Sequence, residues 1–508
     1  MAVEGCCHGE LDRIYEAVTE AGRAGPVVDL LLICGDFESI EQESDLQNIS
    51  VPDKYKHMNT FHQYVTGEKV APVLTVFIGG NHEASNVLQS LYYGGFVAPN
   101  IYFLGFAGVV DFGFLRLCGV SGISNDAHYR DGHYERPPYD ASALRSIYHL
   151  RELEVYRLSH LRDTASFAGT RHDQAIAPPP PPPPPPPAAA APAAVCCPRV
   201  NVMLSHDWPR HIWHYGDCGG LLRKKPGLAE DVRAASLGSA PLWELLCQLR
   251  PHFWFCAHHH VKFPALVPWE PLEAQKQAQA AAPPPPPLAQ GQGPELKQGA
   301  HDTGAVVPIP LCVPVQAPVT RFLALDKVLP HRAFLQVLTI PAPAGYARDE
   351  DEHEYAPYEL RHTVEWLSVL QRTHRYLQPV RRPAAPHKVP CHLQPLATPA
   401  ELQELCSGLQ AYYGARLAVP GVLPRPIAFS ATGVTEHRGD PQTDRLLAAL
   451  GLPHVWTVPY VSMPVCGGQE QANPLPPPPP PLSAVPVPVS TSAAAKATSI
   501  ADGNEIDI

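Results

Sequence analysis

Five short polar motifs of the sequence carry residue types that bind divalent metals, and each stands at or just after an apolar run. A carboxylate, an amide oxygen and several imidazoles make a mixed oxygen and nitrogen donor set that suits first-row divalent ions. Two such ions about 4 Å apart can hold the attacking and the leaving oxygens of a displacement at phosphorus. The motifs are GCCH (Cys6, His8), CGDF (Asp36), GGNHE (Asn81, His82), LSHDWP (His206) and AHHH (His258, His260).

Each motif alone is also compatible with an ordinary structural role. A lone histidine is more often a core or surface residue than a ligand, and His258 to His260 could be a polar strand end. Cys6 alone could be a small buried hydrophobe, although His8 stands at the offset that a metal site requires. The occurrence of all five motifs in one order, each at a strand end, argues against coincidence.

The segments around these motifs alternate between strand-like and helix-like patterns. The runs VVDLLLIC, PVLTVFI, RVNVMLS and HFWFCA are short, apolar and suited to buried strands. Leu11, Ile14, Tyr15 and Val18 share one face of a helix. This alternation indicates an α/β arrangement, in which side chains at strand ends converge over a sheet while they stay far apart in sequence.

Proline divides the 508-residue chain, because many of its 61 prolines stand in runs that cannot form a core. We expect a catalytic domain over 1–345, interrupted by disordered Pro/Ala-rich insertions at about 164–199 and 268–318. A smaller C-terminal region follows over 350–462, and a disordered Pro-rich tail over 463–508.

Composition restricts the class of protein. The sequence has no stretch of about 18 apolar residues and no basic then apolar N-terminus, which predicts a soluble intracellular protein with no membrane partner. Thirteen irregularly spaced cysteines do not form a secreted disulfide framework. A net charge of −11 argues against a broad basic nucleic-acid surface, so any nucleic acid would be held locally.

The order of the motifs resembles the calcineurin-like metallophosphoesterase superfamily, and most closely its RNA lariat debranching branch, in which the opening Asp is a Cys. The similarity continues through GGNHEASN, GISNDAHYRDGHYERPPY, LSHDWPRHIWHYG and FWFCAHHHVKF. It covers nearly all of 1–162 and 200–340, and YELRHTVEWLSVL and DPQTDRLLAALGL extend it to the C-terminal region. The chain departs from the superfamily at Ala257, where a glycine is usual.

The resemblance implies a fold and a ligand set. The fold would be a sandwich of two mixed β-sheets flanked by helices, with the metals above the strand ends. Asp36 would bridge the two ions. Cys6, His8 and His260 would complete the first site, and Asn81, His206 and His258 the second.

The thiol of Cys6 bears on the choice of metal. A thiolate is softer than a carboxylate, so it favours Fe²⁺ or Zn²⁺ over Mg²⁺ or Ca²⁺, and we expect Mn²⁺ to be able to substitute. Cys7 should point to the opposite face of the strand and pack in the core.

The substrate implied by the resemblance is the 2′,5′-phosphodiester at the branch of an intron lariat, hydrolysed in the nucleus, with the cytoplasm as a second location. His82 would donate a proton to the leaving 2′-oxygen. The segment Ser124 to Leu153 resembles the lariat-recognition loop, whose aromatic and basic side chains suit unpaired bases and phosphates. Its candidates are His128, Tyr129, Arg130, His133, Tyr139, Arg145 and Tyr148.

Two other functions stay open. The first is a generic metallophosphoesterase acting on phosphoproteins or small nucleotides; Cys6 and the long aromatic and basic segment after Gly122 argue against it. The second is a scaffold that has kept the fold and lost the chemistry, which should lack a ligand or the catalytic histidine. Every such position is filled here. The sequence indicates no particular protein partner.

Overall fold

The computed structural model describes most of the chain outside the proline-rich runs. The insertions and the tail predicted at about 164–199, 268–318 and 463–508 lie almost wholly outside the described residues. The described ranges are 1–161, 200–269, 319–342, 359–384, 387–393, 397–413 and 440–455.

Thirteen strands of the described chain form two mixed sheets. The strands, in chain order from β1 to β13, are Ala2–Glu4, Leu30–Ile33, Leu74–Phe77, Gly95–Ala98, Ile101–Phe103, Ala107–Phe112, Leu115–Val120, Val202–Ser205, Phe253–Cys256, Phe263–Pro268, Val319–Ala324, Leu335–Val337 and Leu360–His362. The first sheet has six strands in the order β12-β1-β2-β3-β5-β4, and the second has seven in the order β10-β11-β9-β8-β7-β6-β13.

The apolar layer between the sheets holds them together. Val3, Leu32 and Val76 of the first sheet pack in one buried cluster with Leu117, Leu204 and Phe255 of the second. β1, β2 and β3 run parallel to one another, and β8 runs parallel to β9. The predicted sandwich of two mixed β-sheets is therefore confirmed.

Helices cover the outer faces of the sandwich, as the alternating pattern predicted. The helices, in chain order from α1 to α11, are Leu11–Ala24, Phe61–Val65, Ser85–Ser90, Ala141–Ser146, Glu152–Ser159, Cys218–Lys224, Ala229–Arg233, Ala240–Leu249, Val364–Thr373, Pro399–Tyr413 and Pro441–Leu450. Leu11, Ile14, Tyr15 and Val18 of α1 are all buried against the first sheet, while α5 and α8 pack against the second. Among the described helices, none combines the length and the hydropathy needed to cross a bilayer.

The C-terminal elements belong to the same compact unit as the two sheets. This unit extends from Met1 to Val458. β13 adds an edge strand to the second sheet by pairing with β6. The side chain of Gln442 on α11 exchanges two hydrogen bonds with the backbone of Phe96, and Arg157 donates to Thr373 of α9. The region predicted over 350–462 is thus packed on the catalytic part through its described residues.

Candidate metal centre

The metal-type side chains follow the carboxyl ends of five parallel strands. Cys6 and His8 follow β1, Asp36 follows β2, and Asn81 follows β3 in the first sheet. His206 follows β8, and His258 and His260 follow β9 in the second sheet. Because the two sheets face each other, these ends meet at one edge of the sandwich, where the loops can hold ligands.

Four of the predicted ligands form one compact cluster. Cys6, His8, Asp36 and His260 each offer a donor atom, and these atoms all lie within 4.8 Å of one another. The Nε2 atoms of His8 and His260 are 3.2 Å apart, and His8 Nε2 lies 3.6 Å from Asp36 Oδ2. Residues 252 positions apart thus converge on one point, and this is the set predicted for the first ion.

Asp36 also faces the second predicted set through its other oxygen. His206 Nε2 lies 3.3 Å from Asp36 Oδ1, and the rings of His206 and His258 have centroids 5.1 Å apart. The backbone N–H of His82 donates to the same Asp36 oxygen at 2.9 Å. Asp36 therefore stands between the two groups, as a bridging ligand must.

Two ligand-type atoms of the second predicted set have lone pairs available for a metal ion. His206 Nδ1 donates to the carbonyl of Cys34 at 2.7 Å, so its Nε2 lone pair points toward the Asp36 carboxylate. Within the described chain, that Nε2 and the buried Oδ1 of Asn81 have no hydrogen-bond partner. A nitrogen lone pair that faces a carboxylate is costly unless a metal ion or a proton lies between the two atoms, and a buried amide oxygen is costly unless a donor or a cation meets it.

The electrostatics of the side chains agree with this fit. Burial and the nearby Asp36 charge raise the pKa of Cys6 well above its ordinary value, so thiolate formation needs a cation. Burial lowers the pKa of His260 to about 3 and that of His258 well below 6.5, which keeps both imidazoles neutral, as ligands must be. Burial alone would raise the pKa of Asp36, but the adjacent His206, His82 and His8 lower it well below its usual range.

Backbone strain is concentrated at this edge of the sandwich. His8, Asp36, His258 and His260 all have positive φ, at 46°, 49°, 66° and 48°. Residues other than glycine seldom adopt this conformation, although aspartate and histidine do so more often than most, and it persists where the surrounding fold enforces it, often at functional sites. The loops therefore hold the candidate ligands at some expense of local backbone stability.

Cys6 and Cys7 face opposite sides of the chain. Cys6 Sγ accepts the backbone N–H of His258 at 3.2 Å, whereas Cys7 is buried in the apolar cluster between the first sheet and α1. The alternation of a strand therefore continues through Cys7, which packs in the core as expected.

Two carboxylates to which the sequence motifs assigned no role also shape the site. Glu83 is buried, and its two oxygens accept the backbone N–H groups of Phe37, Gly80 and Glu38, which fixes the Asp36 loop against the Asn81 loop. Burial and the Asp36 charge raise the pKa of Glu83 to about 8. Glu38 contacts His8. Their positions in GGNHE and GDFE were visible signals, but their contacts depend on the tertiary fold.

His82 lies at the rim of the metal-type cluster and is only half-buried. Its ring centroid is 5.4 Å from that of His8 in an edge-to-face arrangement. Burial lowers the pKa of His82 below its ordinary value, and the negative charges of Asp36 and Glu38 oppose that effect.

The segment Ser124 to Leu153 leaves the sandwich beside this rim. Its two ends are joined by a bridge between Ile123 and His149, and Gly122 N–H donates to the carbonyl of Gly79. Tyr148 at its base is close enough to the centre for the Asp36 charge to raise its pKa, after burial. The segment Ser124 to Leu153 is therefore anchored to the loop that carries Asn81 and His82.

The other predicted loop residues are spread over different surroundings. Arg130 and Arg145 are exposed. His128 stacks on His149, and Tyr139 donates its hydroxyl to Gln89 at 2.7 Å. Tyr129 packs partly against the core of the second sheet.

The placement of His133 corrects one expectation. Its side chain is 3% exposed, and its Nε2 lies 2.9 Å from the Glu154 carboxylate on α5, between the rings of Tyr92 and Phe106. A histidine enclosed in this way cannot contact RNA, and its ring instead gives the buried Glu154 carboxylate a hydrogen-bond partner.

A cleft of about 560 Å³ lies between the segment Ser124 to Leu153 and the C-terminal region. Arg130 lines one side, and Arg382, Lys388 and Tyr376 line the other, together with the acidic Asp126 and Glu152. Within the described residues, no acidic side chain forms an ion pair with Arg130, Arg382 or Lys388. The cleft therefore presents three cations beside two carboxylates.

Two family models match the chain and cover both of its parts. Residues 1–262 match the model described as calcineurin-like phosphoesterase, and residues 317–455 match the lariat debranching enzyme C-terminal domain. The sandwich, the donor set at its edge and the first match define a calcineurin-like phosphoesterase.

Curated relatives narrow the family further. The chain is 44% identical to the lariat debranching enzyme of Mus musculus and 43% identical to that of Homo sapiens, each over 73% of this chain and 53% of the relative. It is 35% identical to the lariat debranching enzyme of Arabidopsis thaliana over 90% of this chain and 87% of the relative. The chain thus spans about half the length of the mouse and human relatives, and it belongs to the lariat debranching enzyme family.

Proposed function

We propose that this protein hydrolyses the 2′,5′-phosphodiester at the branch point of lariat RNA. The observation that carries the proposal is the cluster of Cys6, His8, Asp36 and His260, because a thiol completes a site that is otherwise typical of metallophosphoesterases. The relatives that match both parts of the chain carry the name lariat debranching enzyme, which supports branched RNA as the substrate.

The residues that would hold the metals follow from the geometry. Cys6, His8 and His260 would hold one ion and Asn81, His206 and His258 the other, with Asp36 between them. Divalent ions in such a centre neutralise phosphoryl charge and lower the pKa of water. The thiol favours Fe²⁺ or Zn²⁺, and Mn²⁺ would substitute. Elemental analysis of purified protein tests this choice of metals, and finding only Mg²⁺ or Ca²⁺ would contradict it.

His82 would serve as the general acid. Its side chain is at the open rim, and the hydrogen bond from its backbone to Asp36 fixes its position relative to the ligands. A phosphodiester bound beside it adds negative charge, which favours the protonated imidazole despite the burial that lowers its pKa. The proton would pass to the departing 2′-oxygen.

The recognition segment and the cleft would contact RNA around the branch. Tyr148 is near enough to the centre for the Asp36 charge to act on its pKa, and a tyrosine ring suits the stacking of an unpaired base. Arg130, Arg382 and Lys388 would meet phosphates of the strands that leave the branch. Local contacts of this kind reconcile RNA binding with a net charge of −11.

A direct comparison of substrates tests the proposal against a generic phosphoesterase. Metal-loaded protein should cleave a synthetic 2′,5′-branched RNA with a kcat/KM at least about 10³-fold above that for p-nitrophenyl phosphate. Equal activity on the two substrates would favour the generic function. Nuclear residence is a separate proposal, for which fluorescence microscopy of the tagged full chain provides the test.

A further inference from the structure

Glu38 occupies an unusual position beside the metal centre. It follows Asp36 by two residues, only 6% of its surface is exposed, and its backbone has a positive φ of 57°. Burying a carboxylate on a strained backbone is costly, so a compensating interaction should explain it.

The two carboxylate oxygens of Glu38 have separate partners. Oε1 lies 3.3 Å from Nδ1 of His8, and Oε2 accepts from Nδ2 of Asn59 at 3.3 Å. The Asn59 amide also reaches the carbonyl of His8 at 3.5 Å. Glu83 accepts the Glu38 backbone N–H at 3.0 Å, so both the main chain and the side chain of Glu38 are held in place.

The contact with His8 decides which ring nitrogen can bind a metal. A carboxylate accepts a hydrogen bond, so it fixes the proton of His8 on Nδ1 and leaves Nε2 with a free lone pair. That Nε2 is the atom directed at His260 and Asp36, inside the cluster that includes Cys6. With the proton on Nε2 instead, His8 could not act as a ligand there.

We infer that Glu38 is a positioning residue that fixes the tautomer and the ring orientation of His8 for the first metal site, with Asn59 holding the carboxylate from behind. This inference rests on the proposed function only for the presence of metals and not for the RNA substrate. Outer partners of this kind typically contribute a factor of about 10–100 in metal affinity. The second site, built on His206 and Asn81, should not depend on Glu38.

The substitution Glu38→Gln separates hydrogen bonding from charge. Glutamine keeps an oxygen that can accept from His8 Nδ1, whereas Glu38→Met has similar length and no acceptor. The matched controls are Glu43→Gln and Glu43→Met, because Glu43 is exposed and lies five positions away. Asn59→Ala removes only the support from behind.

The measurement is a chelator competition that resolves two Zn²⁺ affinities per chain, together with the thiolate-to-metal absorption of the Co²⁺-substituted protein, which reports on Cys6. We expect Glu38→Met to weaken one affinity by about 10–100-fold and to reduce the thiolate band, while the other affinity is unchanged. Glu38→Gln and Asn59→Ala should stay within a few-fold of the wild-type protein, as should both Glu43 controls.

Two results would overturn the inference. The first is wild-type affinity at both sites in Glu38→Met, and the second is equal weakening by Glu38→Gln and Glu38→Met, which would assign the effect to charge. If Glu38→Met does not fold, Glu38→Ala replaces it in the same two measurements: a loss of about 10–100-fold at one site supports the positioning role, and wild-type affinity at both sites contradicts it. Neither readout uses RNA, so an inactive wild-type protein would refute the proposed function and leave this test intact.

Discussion

Replacing Gly80 by alanine should disable the metal centre, because the site has no room for one more carbon atom. A Cβ at residue 80 would lie 2.1 Å from Asp36 Oδ1, 2.5 Å from Asp36 N and 2.8 Å from His206 Cε1. Since real Cβ contacts stay beyond 3.0 Å, the Asp36 carboxylate would have to move by about 0.9 Å.

A displacement of this size is large for a catalytic site. Ligand and catalytic groups have to keep their positions within about 0.5 Å, and a shift of about 1 Å can cost 10²-fold in rate. We therefore expect a fall in kcat/KM of at least about 10²-fold, equivalent to about 2.7 kcal/mol of activation free energy. Because Asp36 faces both groups of ligands, the content of both metals should fall as well.

The same substitution at Gly22 provides the control. Gly22 is in α1, and a Cβ there meets nothing within 4 Å. Alanine within a helix is about 1 kcal/mol better than glycine, so Gly22→Ala should raise the thermal midpoint without changing metal content or rate. The assays are elemental analysis after gel filtration and turnover of branched RNA. A Gly80→Ala protein that keeps two metals and the wild-type rate would refute the reasoning.

Three further predictions concern His82, the buried carboxylate of Glu154 and the arginines of the cleft. His82→Ala should lower kcat on branched RNA by about 10²–10⁴-fold with metal content intact, and a loss of metal would contradict its role as general acid. Burial alone would raise the pKa of Glu154, but His133 and Arg157 lower it to about 2; its stabilising contribution is therefore complete above its unfolded value near 4.5 and is lost as pH falls toward 2. Urea unfolding at pH 6 and pH 3 should thus show a smaller pH effect in Glu154→Gln than in the wild-type protein, and an equal effect in both would refute this assignment. Removing Arg130 and Arg382 together should weaken binding of branched RNA and reduce the slope of log K against log salt by about 2, whereas removing Arg13 and Arg23 of α1 should change neither.

The strands, the first helix and the candidate ligands were accessible from the sequence because their signals are local. Leu11, Ile14, Tyr15 and Val18 are buried as their spacing predicted, and the metal-type residues follow apolar runs that are strands. The pairing of β1 with the distant β12 leaves no local signal in the sequence, and neither does the addition of β13 to the edge of the second sheet. These two features could therefore not be predicted. The parallel ends of β1, β2, β3, β8 and β9 then bring the ligands together.

The roles of Glu38, Glu83 and His133 were not accessible in this way. Glu83 and Glu38 act through backbone N–H groups and a ring nitrogen that only the folded loops bring near. His133 stands in a segment of polar and aromatic residues whose composition is typical of an exposed RNA-binding loop. Its ring is nevertheless buried against Glu154 of α5. Loop composition carries no information about such a contact.

The most direct test of the central claim is the position of the bond that the protein cleaves in a branched RNA, determined by mass spectrometry of the products. A site in which His82 protonates the leaving 2′-oxygen should release a linear RNA with a free 2′-hydroxyl at the branch nucleoside and a 5′-phosphate on the separated strand, and 3′,5′-linkages should stay intact. Products with a 2′-phosphate and a 5′-hydroxyl, or cleavage at 3′,5′-linkages, would contradict the account.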